Sequence, residues 1–180
     1  MTDTLRVKDT VISLVKEDIT DIEIESFVYY AQHNLALGSG FGTAISVRGG
    51  PSIQDELNEM GPLKTTEAVV SSAGNLKVKY IIHAVGPRFQ EEEIENKLKV
   101  TIENILRLAE SKGITSIALP PMGTGFYGIP LEVSAQVTLR TIIAYAENNT
   151  SIKDIKICLN DNRELIPFQK NLAALAQVAV

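Results

Sequence analysis

Two short stretches concentrate glycine: Gly38-Ser39-Gly40-Phe41-Gly42, and Pro121-Met122-Gly123-Thr124-Gly125-Phe126-Tyr127-Gly128. Glycine has no Cβ, so a glycine-rich backbone can approach an anion closely and turn successive N–H groups toward it. Each stretch follows an apolar, β-branched segment and precedes a segment of helical periodicity, and a helix N-terminus adds about half a unit of positive charge at that point. The chemistry this arrangement suits is phosphate recognition by backbone, with no lysine or metal ion needed. Tight turns also require glycine, so one such loop alone is equally consistent with a plain turn. Two, facing each other across neighbouring strand ends, could hold both phosphates of a diphosphate.

Other phosphate chemistries fit the residues less well. Neither loop continues into the GK[ST] of a triphosphate-hydrolysing site. Gly123, Gly125 and Gly128 satisfy a bare GxGxxG, but that fingerprint belongs to a first βαβ unit with an acidic residue about 20 positions on, and Asn148 stands there. His33 and His83 are the only histidines and Cys158 the only cysteine, so no metal-binding constellation is evident and no cofactor is expected. His83 reads as a hydrogen-bonded core histidine and Cys158 as a small core residue.

The elements that must position these loops follow from apolar patterning. Strands are expected at Val11 to Val15, Phe27 to Ala31, Ala68 to Ser71, Tyr80 to Val85, Ser116 to Pro120 and Ile152 to Leu159. Helices are expected over Glu93 to Lys112, from Pro130 onward, over Asn162 to Val178, and over Gly42 to Met60 with a break at Gly49-Gly50-Pro51. Most strands are apolar on both faces, which implies an α/β fold with a largely parallel or mixed sheet covered by helices on either side. Ligands of such sheets sit beyond the carboxyl ends of the strands.

The 180 residues, 44% of them hydrophobic, suffice for one domain spanning 1–180 that buries roughly 70% of its unfolded surface. A net charge of −5 disfavours nucleic acid held through its phosphates. A lone cysteine, a start lacking signal-peptide layout and no apolar run of membrane-spanning length lead to the expectation of a cytoplasmic protein with no membrane association.

Taken together, Asp18-Ile19-Thr20 after a strand, the loop at 38 to 42, the segment YIIHAVGP from Tyr80 and the loop PPMGTGFYGIP resemble the macro domain, the ADP-ribose-binding α/β family, over roughly Val11 to Phe168. The resemblance implies a three-layer α/β/α sandwich with a mixed six-stranded sheet. It implies that Asp18 accepts a hydrogen bond from the adenine amino group with Ile19 beside it. It also implies that Gly38, Ser39, Gly40 and Phe41 line the distal ribose and diphosphate, and that Gly123, Thr124, Gly125, Phe126 and Tyr127 wrap the diphosphate from the other side. Asp18 could instead be a turn cap, and Phe126 and Tyr127 ordinary packing residues.

Three family features are absent. The NAAN motif falls on Tyr29-Tyr30-Ala31-Gln32, and the acidic residue that follows the glycine loop in hydrolytic members falls on Gly42. Gln32 keeps an amide for the distal ribose, and His33 and Asn34 are substitute catalytic candidates, but no general base stands at the place the resemblance indicates. The aromatic that often stacks on adenine is replaced by Asn160-Asp161-Asn162. The expectation is therefore a module that binds ADP-ribose, free or protein-linked, with little or no turnover. The alternative is a hydrolase of ADP-ribose derivatives: an ADP-ribosyl hydrolase, an O-acetyl-ADP-ribose deacetylase or an ADP-ribose 1″-phosphate phosphatase.

Overall fold

A computed structural model describes residues 3–38 and 40–178. Its strands are β1 (Thr4–Val7), β2 (Thr10–Val15), β3 (Ser26–Tyr30), β4 (Ala68–Ser72), β5 (Tyr80–Ala84), β6 (Ser116–Leu119) and β7 (Asp154–Cys158). They form one sheet in the order β1-β2-β7-β6-β3-β5-β4, in which the five central strands run parallel and the two edge strands antiparallel. The mixed, largely parallel sheet is as expected, with seven strands in place of six. The additional strand, β1, is an edge strand of four residues that pairs only with β2; exposed Thr4 and Arg6 alternate with Leu5 and Val7, which pack on the core, too short a pattern to stand out beside the apolar runs of the buried strands.

The helices are α1 (Phe41–Gly49), α2 (Ser52–Leu57), α3 (Ile94–Ser111), α4 (Leu131–Ala146) and α5 (Asn162–Val178). The expected break between the first two occurs at Gly50-Pro51, where Gly50 takes φ 89° and Pro51 restarts the chain as the N-cap of α2. Side chains alternate across the sheet and so feed two apolar clusters. Val28, Tyr30 and Ile82 join Leu98, Leu139 and Phe168 of α3, α4 and α5 on one face. Phe27, Tyr29 and Ile81 join Ile45, Ile53 and Leu57 of α1 and α2 on the other. This is the expected three-layer sandwich. Phe27 and Phe168, each fully buried, anchor the two faces, and truncating either to alanine would cost about 3–5 kcal/mol.

One seam of the sheet is short. β3 pairs with β5 over five residues but with β6 over only two, Ser26↔Ile117 and Phe27↔Ala118. Beyond Phe27 the two strands part. The chain leaves β3 toward β5 on one side and β6 toward β7 on the other, so the gap lies at the point where the connections change direction, which is where α/β sheets take their ligands.

Candidate functional site

The parted ends of β3 and β6 open into two adjoining cavities. One, of 320 Å³, is lined by Tyr29, Tyr30 and Gln32 after β3, by Thr124, Phe126 and Tyr127 of the second glycine loop, and by Asn160 and Glu164. The other, of 290 Å³, is lined by Glu17, Asp18, Ile19 and Thr20 after β2, by Ala44 of α1 and by Cys158. Gly40, Phe41, Pro120, Pro121 and Asn160 line both, so they mark the junction of one continuous cleft. A third, larger cavity of 540 Å³ lies away from the glycine loops, between α3 and the C-terminal half of α4.

The N-terminus of α1 lies at the junction, whereas Gly125 lines neither cavity. The N–H groups of the first turn of α1 have no partner within the helix, and no side chain caps it. Its N-cap, Gly40, has φ 65°, and a Cβ there would meet nothing within 4 Å. Gly125 behaves alike, with φ 66° and open space beside it. At both positions glycine serves backbone conformation and leaves room, whereas at Gly123 a Cβ would strike Ile129. The second loop does not repeat the first as fully as its sequence suggests. Residues Gly125–Tyr127 form a 3-10 turn, and Pro130 is the N-cap of α4, so that helix begins beyond the loop.

At one end of the cleft, Asp18 serves as a turn cap and lines the cavity as well. Its Oδ1 accepts hydrogen bonds from Thr20 N (2.9 Å) and Thr20 Oγ1 (2.7 Å), while Oδ2 accepts from Arg48 Nη1 (2.8 Å). The Thr20 hydroxyl above all, with the Thr20 amide and Arg48, holds its carboxyl below the usual range against the opposing effect of partial burial. Cys158 is nearly fully buried at the end of β7, and desolvation pushes its thiol up to about 12, so it is an inert part of the wall, in keeping with the sequence reading.

At the other end, three phenols crowd together. The Tyr30 ring packs against Tyr127 at 4.8 Å, and its hydroxyl donates to the Pro87 carbonyl. Burial pushes the Tyr29 hydroxyl up to about 12, with the neighbouring Tyr127 adding to the shift, so it stays protonated and able to donate at ordinary pH. Phe126 is 83% exposed at the mouth, stacked edge-on against Tyr127, which excludes a core role for it. Tyr127 is partly buried and carries Arg88 over its ring at 5.9 Å.

The sequence-derived site residues thus separate. Asp18, Ile19, Gln32, Gly40, Phe41, Thr124, Phe126, Tyr127 and Gly123 line the cleft. Gly38 lies behind it, where a Cβ would come within 2.9 Å of Gln32 Nε2, and its carbonyl accepts from Thr43 Oγ1. Ser39 falls outside the described residues. His33 and Asn34 do not line either cavity. His33 is exposed with Nδ1 2.8 Å from the Leu63 carbonyl, and Asn34 Oδ1 accepts from Ala36 N, so both are engaged on the outer surface of their turn. Neither side chain therefore stands beside the cleft in this geometry. His83 is fully buried as expected but only half satisfied: Nε2 lies 2.8 Å from Ser71 Oγ, while Nδ1 has no partner. Desolvation lowers its pKa to about 3 and keeps it neutral.

Residues to which the sequence gave no site role also line the cleft, among them Pro120, Pro121 and Glu164. Glu164, on the first turn of α5, is nearly fully buried, and its carboxylate accepts from Asn160 N and Asn160 Nδ2, both at 3.1 Å. The Asn160–Glu164 spacing just after the last strand was the available signal, since a carboxylate at that point satisfies the helix N-terminus.

A sheet of this order, sandwiched between helices and parted at its switch point beside two glycine loops, defines a class of α/β domain with an elongated cleft. The chain belongs to the macro domain family, whose model matches residues 28–138. It is 40% identical over 167 residues to a macro domain-containing protein of Listeria monocytogenes, covering 88% of this chain and 95% of that one. It is 45% identical over 136 residues to an uncharacterised protein of Sulfurisphaera tokodaii, covering 73% and 74%. Among solved structures it resembles the Oceanobacillus iheyensis macrodomain with ADP, at a TM-score of 0.93 and 29% identity over 97% of this chain and 96% of that one. A variant of the same macrodomain with ADPR matches at a TM-score of 0.92 and 29% identity, covering 97% and 98%. No helix among the described residues is long and apolar enough to cross a membrane.

Proposed function

We propose that this protein binds ADP-ribose, free or attached to a modified protein, and turns it over little or not at all. The observation that carries the reading is the junction at Gly40 and Phe41: a helix N-terminus without a side-chain cap, shared by two cavities that are each the size of a nucleoside or sugar subsite. A diphosphate at that junction leaves adenosine on the Asp18 side and the terminal ribose on the Tyr29 side. Asp18 accepts from the adenine amino group, a contact that guanine's oxygen cannot make. The O. iheyensis macrodomain, which shares the fold over nearly the whole chain, is seen with both ADP and ADPR.

Low turnover follows from the terminal subsite. Gly42 offers no side chain, and Glu164, the one carboxylate among the described residues lining that cavity, is held by Asn160. A general base must reach the proton it removes, and no unengaged base does so here. Calorimetric titration with ADP-ribose, AMP and NAD tests the reading. Micromolar ADP-ribose affinity, about −8 kcal/mol, with AMP far weaker, is the expected result, and equal or absent binding of all three refutes it. Release of ADP-ribose from a modified protein at an enzymatic rate would favour the hydrolase reading instead.

A further inference from the structure

Tyr29 and Gly42 are 13 positions apart in sequence but occupy one space. An added Cβ at Gly42 would stand 2.5 Å from the Tyr29 hydroxyl and 3.1 Å from the Leu37 backbone. The Tyr29 ring is fixed from two sides, edge-on to Phe41 at 5.1 Å and to His83 at 5.9 Å, so the hydroxyl cannot swing clear without disturbing the face it packs on. The phenol therefore stands where a side chain at position 42 would have to project, and the two residues are one steric unit.

Tyr29 also lines the terminal cavity. Its hydroxyl has no hydrogen-bond partner among the described residues and is not one of the fully enclosed unpaired polar atoms. The nearby phenol of Tyr30 differs, being committed to the Pro87 carbonyl. We propose that Tyr29 is a specificity-determining residue of the terminal subsite: its hydroxyl donates a hydrogen bond to an oxygen of the terminal sugar, and its bulk excludes an acidic side chain from position 42. The subsite thereby selects ligands that extend past the diphosphate into a sugar bearing acceptor oxygens, and discriminates against those that end at the second phosphate. This deepens the ADP-ribose reading and rests on it.

The test compares ADP-ribose with ADP on wild-type protein and on Tyr29→Phe, which removes one oxygen and keeps the ring. Wild type binds ADP-ribose more tightly than ADP. Tyr29→Phe weakens ADP-ribose by roughly 2- to 12-fold, the usual worth of one neutral hydrogen bond, and leaves ADP unchanged. Unchanged ADP-ribose affinity, or an equal loss for both ligands, overturns the assignment. Failure of wild type to bind either nucleotide instead overturns the function on which it rests. The steric half is tested by a thermal-unfolding cycle. Gly42→Ala lowers the Tm in the wild-type background and lowers it less in the Tyr29→Phe background, where the obstructing oxygen is gone. Equal losses in the two backgrounds would show that position 42 is crowded by Leu37 alone.

Discussion

Replacing Asp18 by asparagine separates what this residue does for the fold from what it does for the ligand. Asparagine keeps an Oδ1 that can accept from the Thr20 amide and hydroxyl, so the turn cap survives. What is lost on the protein side is the pair with Arg48, whose partners are 49% and 52% exposed; pairs this open are worth about 0–1 kcal/mol. For a domain of this size that is a Tm change of at most about 4 °C. On the ligand side, a charged acceptor opposite the adenine amino group is replaced by an amide that can turn a donor toward it. The cost is about 1.5–3 kcal/mol, or roughly 10- to 150-fold in affinity by calorimetry at pH 7. Because the Asp18 pKa is lowered, the wild-type contact persists as pH falls until the carboxyl protonates below its ordinary value. An affinity for ADP-ribose unchanged in Asp18→Asn would remove Asp18 from the site, and a Tm loss well beyond 4 °C would show that its role is chiefly structural.

Two further outcomes concern the scaffold around the cleft. An added Cβ at Gly86 would stand 2.6 Å or less from three atoms of the Tyr30 ring and hydroxyl; Gly86→Ala should therefore destabilise by about 1–3 kcal/mol, and an unchanged Tm would show that Tyr30 is free to move. His83 is neutral in the fold, with a pKa of about 3 against about 6.5 unfolded, so the unfolded chain takes up the proton first as pH falls. Its contribution is fully present above about pH 6.5 and declines toward pH 3. Urea unfolding at pH 7 and 5.5 should differ by about 1 kcal/mol, and a His83→Gln variant that kept the same difference would assign it to other groups.

Much of this architecture was legible because buried parallel strands advertise themselves as apolar runs, and because α3 repeats its apolar residues at helical spacing. The stripe through Leu98, Ile102, Ile105 and Ala109 is fully buried, as its periodicity required. β1 has no such run, because its four residues alternate exposed Thr4 and Arg6 with core-packed Leu5 and Val7. In the cleft, Asp18, Gly40 and Gly123 stand in the walls, positions that their residue types pointed to in sequence. The pairing of Tyr29 with Gly42 could not be read there, because it depends on distance across folded elements. Nor could the burial of Glu164, which as a single carboxylate on a first helical turn reads as a solvated cap until the fold encloses it. His33 and Asn34, close to a glycine loop in sequence, lie outside both cavities and are engaged with Leu63 and Ala36, a placement that sequence distance does not reveal.

The brief β3–β6 pairing has a mechanical side. It divides the sheet into two panels, β1-β2-β7-β6 and β3-β5-β4, joined by far fewer rungs than hold either panel together. A molecule lodged in the gap would touch both panels at once and act as a rivet between them. Occupancy and rigidity would then rise together, and the stiffness of the whole sheet would depend on how much ligand surrounds it.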